Sequence, residues 1–507
     1  MALWALAPVA YVALRAAAHG GTFSGAWGLY PGDQALYLGF IRDAGEHVLI
    51  SNRFDLAPTS HVYLQPMFLL SGLLWRAGVG IQLAYLVWLP AAVATLFAGF
   101  RAYVRRMVEP DGWARRLTLL VALFYFSPAL ALLGWSGLFG HERIQIFTYE
   151  VFNAGQLWGY LPAVIAIGLF ALVLVGVERL LEPERRTPGR GAAWYAAWTA
   201  AGGAVIAWVH PWQGVILVVA LALLALWGRL DRRLLPLAAP LAGTALPLAY
   251  YYVLGRTDPA FELAQRQAQY PRLPLVALAV LAPIAAIALA GLRGPAVGVG
   301  ERLLRIWPVA AVAVYLTVST SPFHALQGVT LPLAILAARG VSRLGASGRL
   351  RGRAVALVGG AGIALCTVPG VVHSFYLLHK YLGGVRGPYV LRADESRALA
   401  YLDRSGASGG VLARNDMSAA VPALTGRAVW VAHPSWTPHQ VERSRAADDL
   451  LSGRMPPDQA RSLVTASGAA FVLSDCGAHA DLSAVLGPGT RVRRFGCAVI
   501  YELRRAQ

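Results

Sequence analysis

The side chains suited to chemistry lie in a handful of polar stretches set between long apolar runs. The first, Tyr30-Pro-Gly-Asp33-Gln34, closely follows the opening apolar segment. An acid held against a bilayer is costly unless it is hydrated, paired or in use. Asp33 therefore reads as a general base or substrate anchor, with a helix cap or a pair with Arg42 as the plainer alternative. Asp43, ten residues on in a helix-like stretch, reads as a second acid of the same pocket or as a partner of Arg42 or Arg53. His61 closes the turn Ala57-Pro58-Thr59-Ser60, where a histidine is either a substrate contact or a hydrogen-bonding loop anchor.

Further candidates come from later connections. Glu150 and Asn153 are three apart and share a face if helical, with Gln156 continuing that face. His210-Pro-Trp-Gln213 forms a tight turn between two apolar runs, and Ser321-Pro-Phe-His324-Ala-Leu-Gln327 repeats the situation later. A place in the aromatic belt accounts for Trp212 but not for His210. Arg256 and Arg266 are cations able to hold a phosphate by a bidentate contact, or simply to snorkel to headgroups.

The elements that must position these residues follow from composition. Of 507 residues, 57% are hydrophobic and 14% charged, and the mean hydropathy is +0.53. That is a polytopic membrane protein. The net charge of +18 does not point to nucleic acid, because the arginines lie in short clusters between apolar runs. About eleven spans are expected, near 1–18, 81–104, 117–135, 160–178, 193–210, 212–229, 235–254, 273–292, 305–320, 326–344 and 354–377. The first is read as a retained span rather than a removed signal peptide. The apolar block 62–77 is short and contains a proline, so it is expected to be a re-entrant or interfacial helix.

Arginine-rich connections at 101–116, 178–190, 229–233, 293–305 and 343–353 alternate along the chain. Placing all five in the cytoplasm puts the N-terminus inside and everything after about Leu378 outside. The candidate residues above, together with His141, Glu142 and Arg143, then fall on the outer face. From Asp394 onward strands alternate with amphipathic helices, which predicts a small α/β domain. Strands are expected at 410–413, 428–432, 470–474 and 497–502. No phosphate loop, nucleophile elbow or zinc motif occurs there. Cys476 and Cys497 pair if that region faces an oxidising compartment, and Cys366 lies in an apolar run.

An acid in the first outer loop, loop helices on the membrane, many spans and a C-terminal outer domain together resemble the GT-C superfamily. Those are membrane glycosyltransferases that use polyprenyl-phosphate sugar donors. More narrowly, Gly32-Asp33 with Tyr37-Leu38 and Ile41-Arg42, then Asn52-Arg53-Phe54 and Pro58-Thr-Ser-His61, resemble a bacterial group of multi-spanning GT-C-like proteins. His210-Pro and Gly328-Val-Thr-Leu-Pro-Leu match later signatures of that group. The turn departs from the pattern at Thr59-Ser60, where acidic residues are expected.

The resemblance implies a GT-C-like transmembrane part over 1–380, with its first outer loop at 19–80, and an extracytoplasmic α/β domain over 381–507. It implies a protein of the plasma (inner) membrane that transfers a sugar from a polyprenyl-phosphate donor to a glycan, lipid or protein acceptor. Asp33 is the expected catalytic base. Asp43, His61, Glu150, Asn153, His210, Gln213, Arg256, His324 and Gln327 are the expected substrate contacts. No metal ligand is assigned. A divalent cation (Mg or Mn) on Asp33, Asp43 or Glu150 stays open beside the absence of any cofactor. Two other classes also stay open. A transporter or flippase of lipid-linked or polar substrates would draw on the prolines that interrupt several spans, and a non-catalytic envelope assembly protein would use the C-terminal domain to bind a partner.

Overall fold

The computed structural model describes residues 1–108, 112–128, 149–269, 276–346, 352–382, 387–478 and 480–503. His141, Glu142 and Arg143 lie outside the described residues. Six described helices are long and apolar enough to cross a membrane: Ile81–Met107, Leu161–Leu181, Ala192–Val209, Arg232–Thr257, Pro322–Arg343 and Gly359–Lys380. Shorter apolar helices occupy Ala2–Ala18, Pro211–Trp227 and Ala282–Gly291. By its internal contacts the chain divides into two units. The first holds Met1–Ala5, Trp88–Tyr252 and Gln269–Leu377, and the second holds Leu6–Val87, Val253–Ala268 and Leu378–Gln507.

In the first unit, Leu161–Leu181 is the most enclosed helix, with 89% of its apolar window buried. It packs on Trp88–Met107, on Ala192–Val209 and on Val299–Thr317. Lipid tails are as apolar as leucine, so close packing rather than hydrophobic expulsion holds such helices together. Gly99 and Gly168 permit it, since a Cβ on either would strike the other helix's backbone.

The second unit begins with the helix α1 (Ala2–Ala18), from Leu6 onward, and strand β1 (Thr22–Phe23). Helix α2 (Pro31–His47) and helix α3 (Pro66–Arg76) follow. A proline near the N-terminus of each suits the first turn, where its missing N–H has no intrahelical partner. The two helices cross at Gly45 and Gly72, where a Cβ on Gly45 would sit 2.6 Å from the Gly72 carbonyl. The short apolar block 62–77 is thus largely a single helix preceded by an extended entry.

Strand β1 pairs antiparallel with β2 (Val390–Leu391), joining the start of the chain to its last quarter. The remaining strands, β3 (Val411–Ala413), β4 (Phe471–Ser474), β5 (Arg491–Phe495) and β6 (Ala498–Glu502), form one sheet in the order β3-β4-β6-β5. β3 and β4 run parallel, and the other neighbours are antiparallel. Leu412, Val472 and Tyr501 of this sheet share a core with Trp430, Val431, Ala447, Leu450 and Leu451.

Two details differ from the sequence expectation. Segment 428–432 makes only an isolated parallel bridge, Val411 with Val429. Its next residues leave the sheet to reach the first loop. β5 was not anticipated, because Arg491-Val-Arg-Arg-Phe495 is charged and mostly exposed. That composition suits an edge strand, whose charges discourage pairing with another chain. Cys476 and Cys497 are joined by a disulfide.

Candidate functional site

Asp33 stands in the first turn of α2, where the helix N-terminus favours a negative charge by about 0.3–1 kcal/mol. The Gln34 side chain beside it accepts the N–H groups of Trp27 (3.0 Å) and Gly28 (2.9 Å). Tyr389 then donates to the Gly28 carbonyl at 2.8 Å. These bonds fix the chain entering α2 and so set where Asp33 points.

The partner of Asp33 is His433, whose Nε2 lies 2.9 Å from Oδ1. His433 Nδ1 accepts the Ser435 backbone N–H at 3.2 Å. That contact commits Nδ1 to a lone pair, so a neutral imidazole carries its proton on Nε2 and donates it to Asp33. His433 is 8% exposed and Asp33 39%. The acid is therefore held by a buried ring while remaining open to another molecule.

His433 is delivered by a loop tied tightly to the first loop. Val429 donates to the Arg53 carbonyl at 2.9 Å, and Thr437 Oγ1 donates to that of Phe54 at 2.6 Å. Asn52 donates to the Trp436 carbonyl at 2.9 Å. Trp436 sits edge-on to Phe40 and to Phe261, with ring centroids 5.3 and 5.1 Å apart. His433 was not among the expected residues. The sequence does hold a signal for it: His433-Pro-Ser-Trp436 echoes His210-Pro-Trp212, a histidine–proline turn with a following tryptophan.

Asp43 takes the pairing alternative. It is 2% exposed and bonded to Arg53, with Nε at 3.0 Å and Nη2 at 2.8 Å from Oδ1. After α2 the chain reverses through Val48 at a φ of 70°. Ser51 then returns, and its N–H and hydroxyl both donate to Asp43 Oδ2, at 2.6 and 2.9 Å. Burial pushes the Asp43 carboxyl up, but Arg53 and the Ser51 hydrogen bonds outweigh this and hold it below its usual range. His61 joins the same group, with Nε2 3.4 Å from Asp43 Oδ1. His47, one helical turn after Asp43, brings Nδ1 to 3.2 Å from that oxygen. Arg42 pairs with Glu46 and Asp403 rather than with Asp33 or Asp43, and Asp55 pairs with Arg443. Arg256 is exposed at the last turn of its helix.

In the first unit a second group forms around Glu150. Gln327 Nε2 donates to its Oε2 at 2.5 Å, and His324 Nδ1 lies 3.1 Å from the same atom. Gln213 donates to the carbonyls of His324 (3.2 Å) and Gln327 (3.1 Å). Asn153 is taken up by structure: it donates to Ala122 O and Thr330 Oγ1 and accepts the Gly328 N–H. His210, at the turn between Ala192–Val209 and Pro211–Trp227, is 1% exposed. Neither ring nitrogen has a hydrogen-bond partner among the described residues. Tyr160, Trp212 and His324 surround it, with ring centroids 5.3–5.6 Å away. Burial and the neighbouring His324 push the His210 imidazole well below its usual range, so it is neutral.

For a metal, the described side chains offer two convergent groups of donors: Asp43–His47–His61, and Asp394 with Cys476 and Cys497. The second is excluded because its sulfurs form the disulfide. Asp33 and Glu150 belong to neither group.

No family model matches the sequence, and no curated protein sequence does. Solved structures do match in three dimensions. The arabinofuranosyltransferase AftD from Mycobacteria superposes with a TM-score of 0.52 at 15% identity, over 98% of this chain and 41% of its own. ArnT from Cupriavidus metallidurans, bound to undecaprenyl phosphate, gives 0.48 at 14% identity, over 99% and 98%. The archaeal oligosaccharyltransferase AglB from Archaeoglobus fulgidus, with an inhibitory peptide and a dolichol-phosphate, gives 0.40 at 14% identity, over 93% and 69%. The likeness is one of fold, and with AftD it runs over 98% of this chain.

Proposed function

We propose that the protein is a membrane glycosyltransferase that moves a sugar from a polyprenyl-phosphate donor to a hydroxyl acceptor, with Asp33 as general base. One observation carries this reading. Of the four acids in the first loop, Asp43, Glu46 and Asp55 each pair with an arginine. Asp33 instead meets the Nε2 of His433 and remains open. A guanidinium would hold the carboxylate as a fixed bidentate ion pair. A single imidazole N–H orients one oxygen and leaves the second free to face an acceptor proton.

In the proposed reaction the acceptor oxygen attacks the anomeric carbon as the bond from that carbon to the phosphate oxygen breaks. The acceptor proton passes to Asp33, and the phosphate leaves on its lipid. Arg256 is a candidate to stabilise the leaving phosphate electrostatically. Glu150, His324, Gln327, Gln213 and His210 are proposed to contact substrate hydroxyls, which suit an amide- and imidazole-rich cluster better than a phosphate would. The reading includes the eleven-span arrangement, a cytoplasmic N-terminus, and an active face and α/β domain outside the plasma membrane.

The test is transfer, or slow donor hydrolysis, by purified full-length protein against a panel of radiolabelled polyprenyl-phosphate sugars. Asp33→Asn is run beside the native chain. A loss of about 10²–10⁴-fold is expected for a missing general base. Near-native turnover by the Asn variant would remove Asp33 from the chemistry. A silent panel with folded native protein would turn attention to transport or scaffolding.

A further inference from the structure

We propose that Asp43, His47 and His61 form a binding site for a zinc-class divalent transition metal, separate from the Asp33–His433 pair and serving to brace the first loop. Asp43 lies ten residues beyond Asp33 on α2, about 15 Å along the helix axis.

Three lines of geometry converge. Asp43 and His47 are four apart on the last turns of α2 and share a face. His61 comes back from the following loop to the same carboxylate oxygen. The three ligand atoms lie within 4.8 Å of one another, and the two imidazole rings are 4.0 Å apart. Tetrahedral zinc with bonds of about 2.0–2.1 Å requires donor–donor edges of about 3.3 Å. The edges from Asp43 Oδ1 to His47 Nδ1 and His61 Nε2 are 3.2 and 3.4 Å.

His61 Nε2 lies 3.4 Å from Asp43 Oδ1 and 3.3 Å from Arg53 Nη2, which itself donates to Oδ1 at 2.8 Å. With its proton on Nδ1, His61 would present the Nε2 lone pair beside Oδ1 and His47 Nδ1, so that all three could face one cation.

The surroundings are those of a built site. Asp43 is buried and oriented by Ser51 and Arg53, the kind of second set of contacts that metal-binding carboxylates use. His47 and His61 are 40% and 32% exposed, which leaves a route for the ion and room for water as a fourth ligand. Two imidazoles with one carboxylate favour zinc, cobalt or nickel over magnesium or calcium.

The experiment uses full-length protein carrying no polyhistidine tag, stripped with chelator and then dialysed against zinc or magnesium. Expected is stoichiometric zinc by elemental analysis, no magnesium retained, a raised unfolding temperature with zinc, and the visible bands of a tetrahedral centre with cobalt(II). The His47→Gln/His61→Gln double variant should lose all of these while unfolding in chelator at the native chain's temperature. Ser51→Ala should weaken zinc by about 10-fold or more. Zinc retained unchanged by the double variant, or no zinc held by the native chain, overturns the proposal. Glycosyl transfer is not read in these measurements, so they stand apart from the role of Asp33.

Discussion

The two units hold their polar residues in different ways. In the first, Glu150, Asn153, Gln213, His324 and Gln327 are linked mainly by amides, imidazoles and backbone carbonyls, and His210 is buried with no partner among the described residues. In the second, the other first-loop acids meet arginines delivered from the loop itself and from the last quarter of the chain, and Asp33 meets a histidine with no arginine beside it. A charge on the buried His210 would have nothing to offset its desolvation, whereas the same unit pairs its buried Glu178 with Arg106. Loops that fold against a soluble-type sheet can carry full charges, because each finds a counterion. A single acid left out of that pairing is then conspicuous.

The largest test of the contrast is Asp33→Asn, expected to cost about 10²–10⁴ in transfer without moving the unfolding temperature. A large fall in stability instead would mark Asp33 as one more structural acid. Asp43→Ala probes the opposite assignment. It leaves Arg53 unpaired in a half-buried place and should destabilise the second unit by about 3–5 kcal/mol, read as a lower midpoint in thermal unfolding in detergent. His433→Ala comes next. Losing a hydrogen bond to a charged group is worth about 1.5–3 kcal/mol, which is about 10–100-fold in transfer, with the shape of the pH–rate profile altered as Asp33 loses its donor. An unchanged profile would reduce His433 to packing.

The smallest effect belongs to the first unit. His210→Leu removes a buried ring that has no described hydrogen bond, so stability should change by about 1 kcal/mol or less. Its pH dependence sharpens the point. The folded ring is held neutral, while the unfolded chain takes up a proton below about pH 6.5. Stability supplied by the native His210 site is therefore full above that pH and falls as pH drops through it. The Leu variant should lose that slope, and a slope that persists would assign it to His324 and Glu150 alongside.

Much of the helical part was legible. Apolar runs long enough to span a bilayer are local properties, and the six long helices coincide with expected runs. The helix-cap alternative put Asp33 at the start of a helix, where the first turn of α2 holds it, and the periodicity after Asp394 announced strands and helices. The edge strand β5 was not legible, since Arg491, Arg493 and Arg494 do not alternate with apolar residues as a half-buried strand does. Segment 428–432 looked like a strand because Val429-Trp-Val431 is β-branched and aromatic, yet its backbone bonds go partly to Arg53. The site was half legible. Asp43 left two arginines open, and only the reversal at Val48 brings Arg53 to it rather than Arg42.

By itself the sequence determined which segments are helical and apolar, and which acids and histidines fall between them. Burying an apolar face and satisfying a helix's own hydrogen bonds are decided within a few turns of chain. The tertiary structure alone decided that Asp33 meets His433, that Asp43, His47 and His61 share one oxygen, and that the first loop belongs with the last quarter of the chain. The reason is that a polar side chain is satisfied by whichever donor folding brings within about 3 Å, and no pattern of neighbours records a partner four hundred residues away.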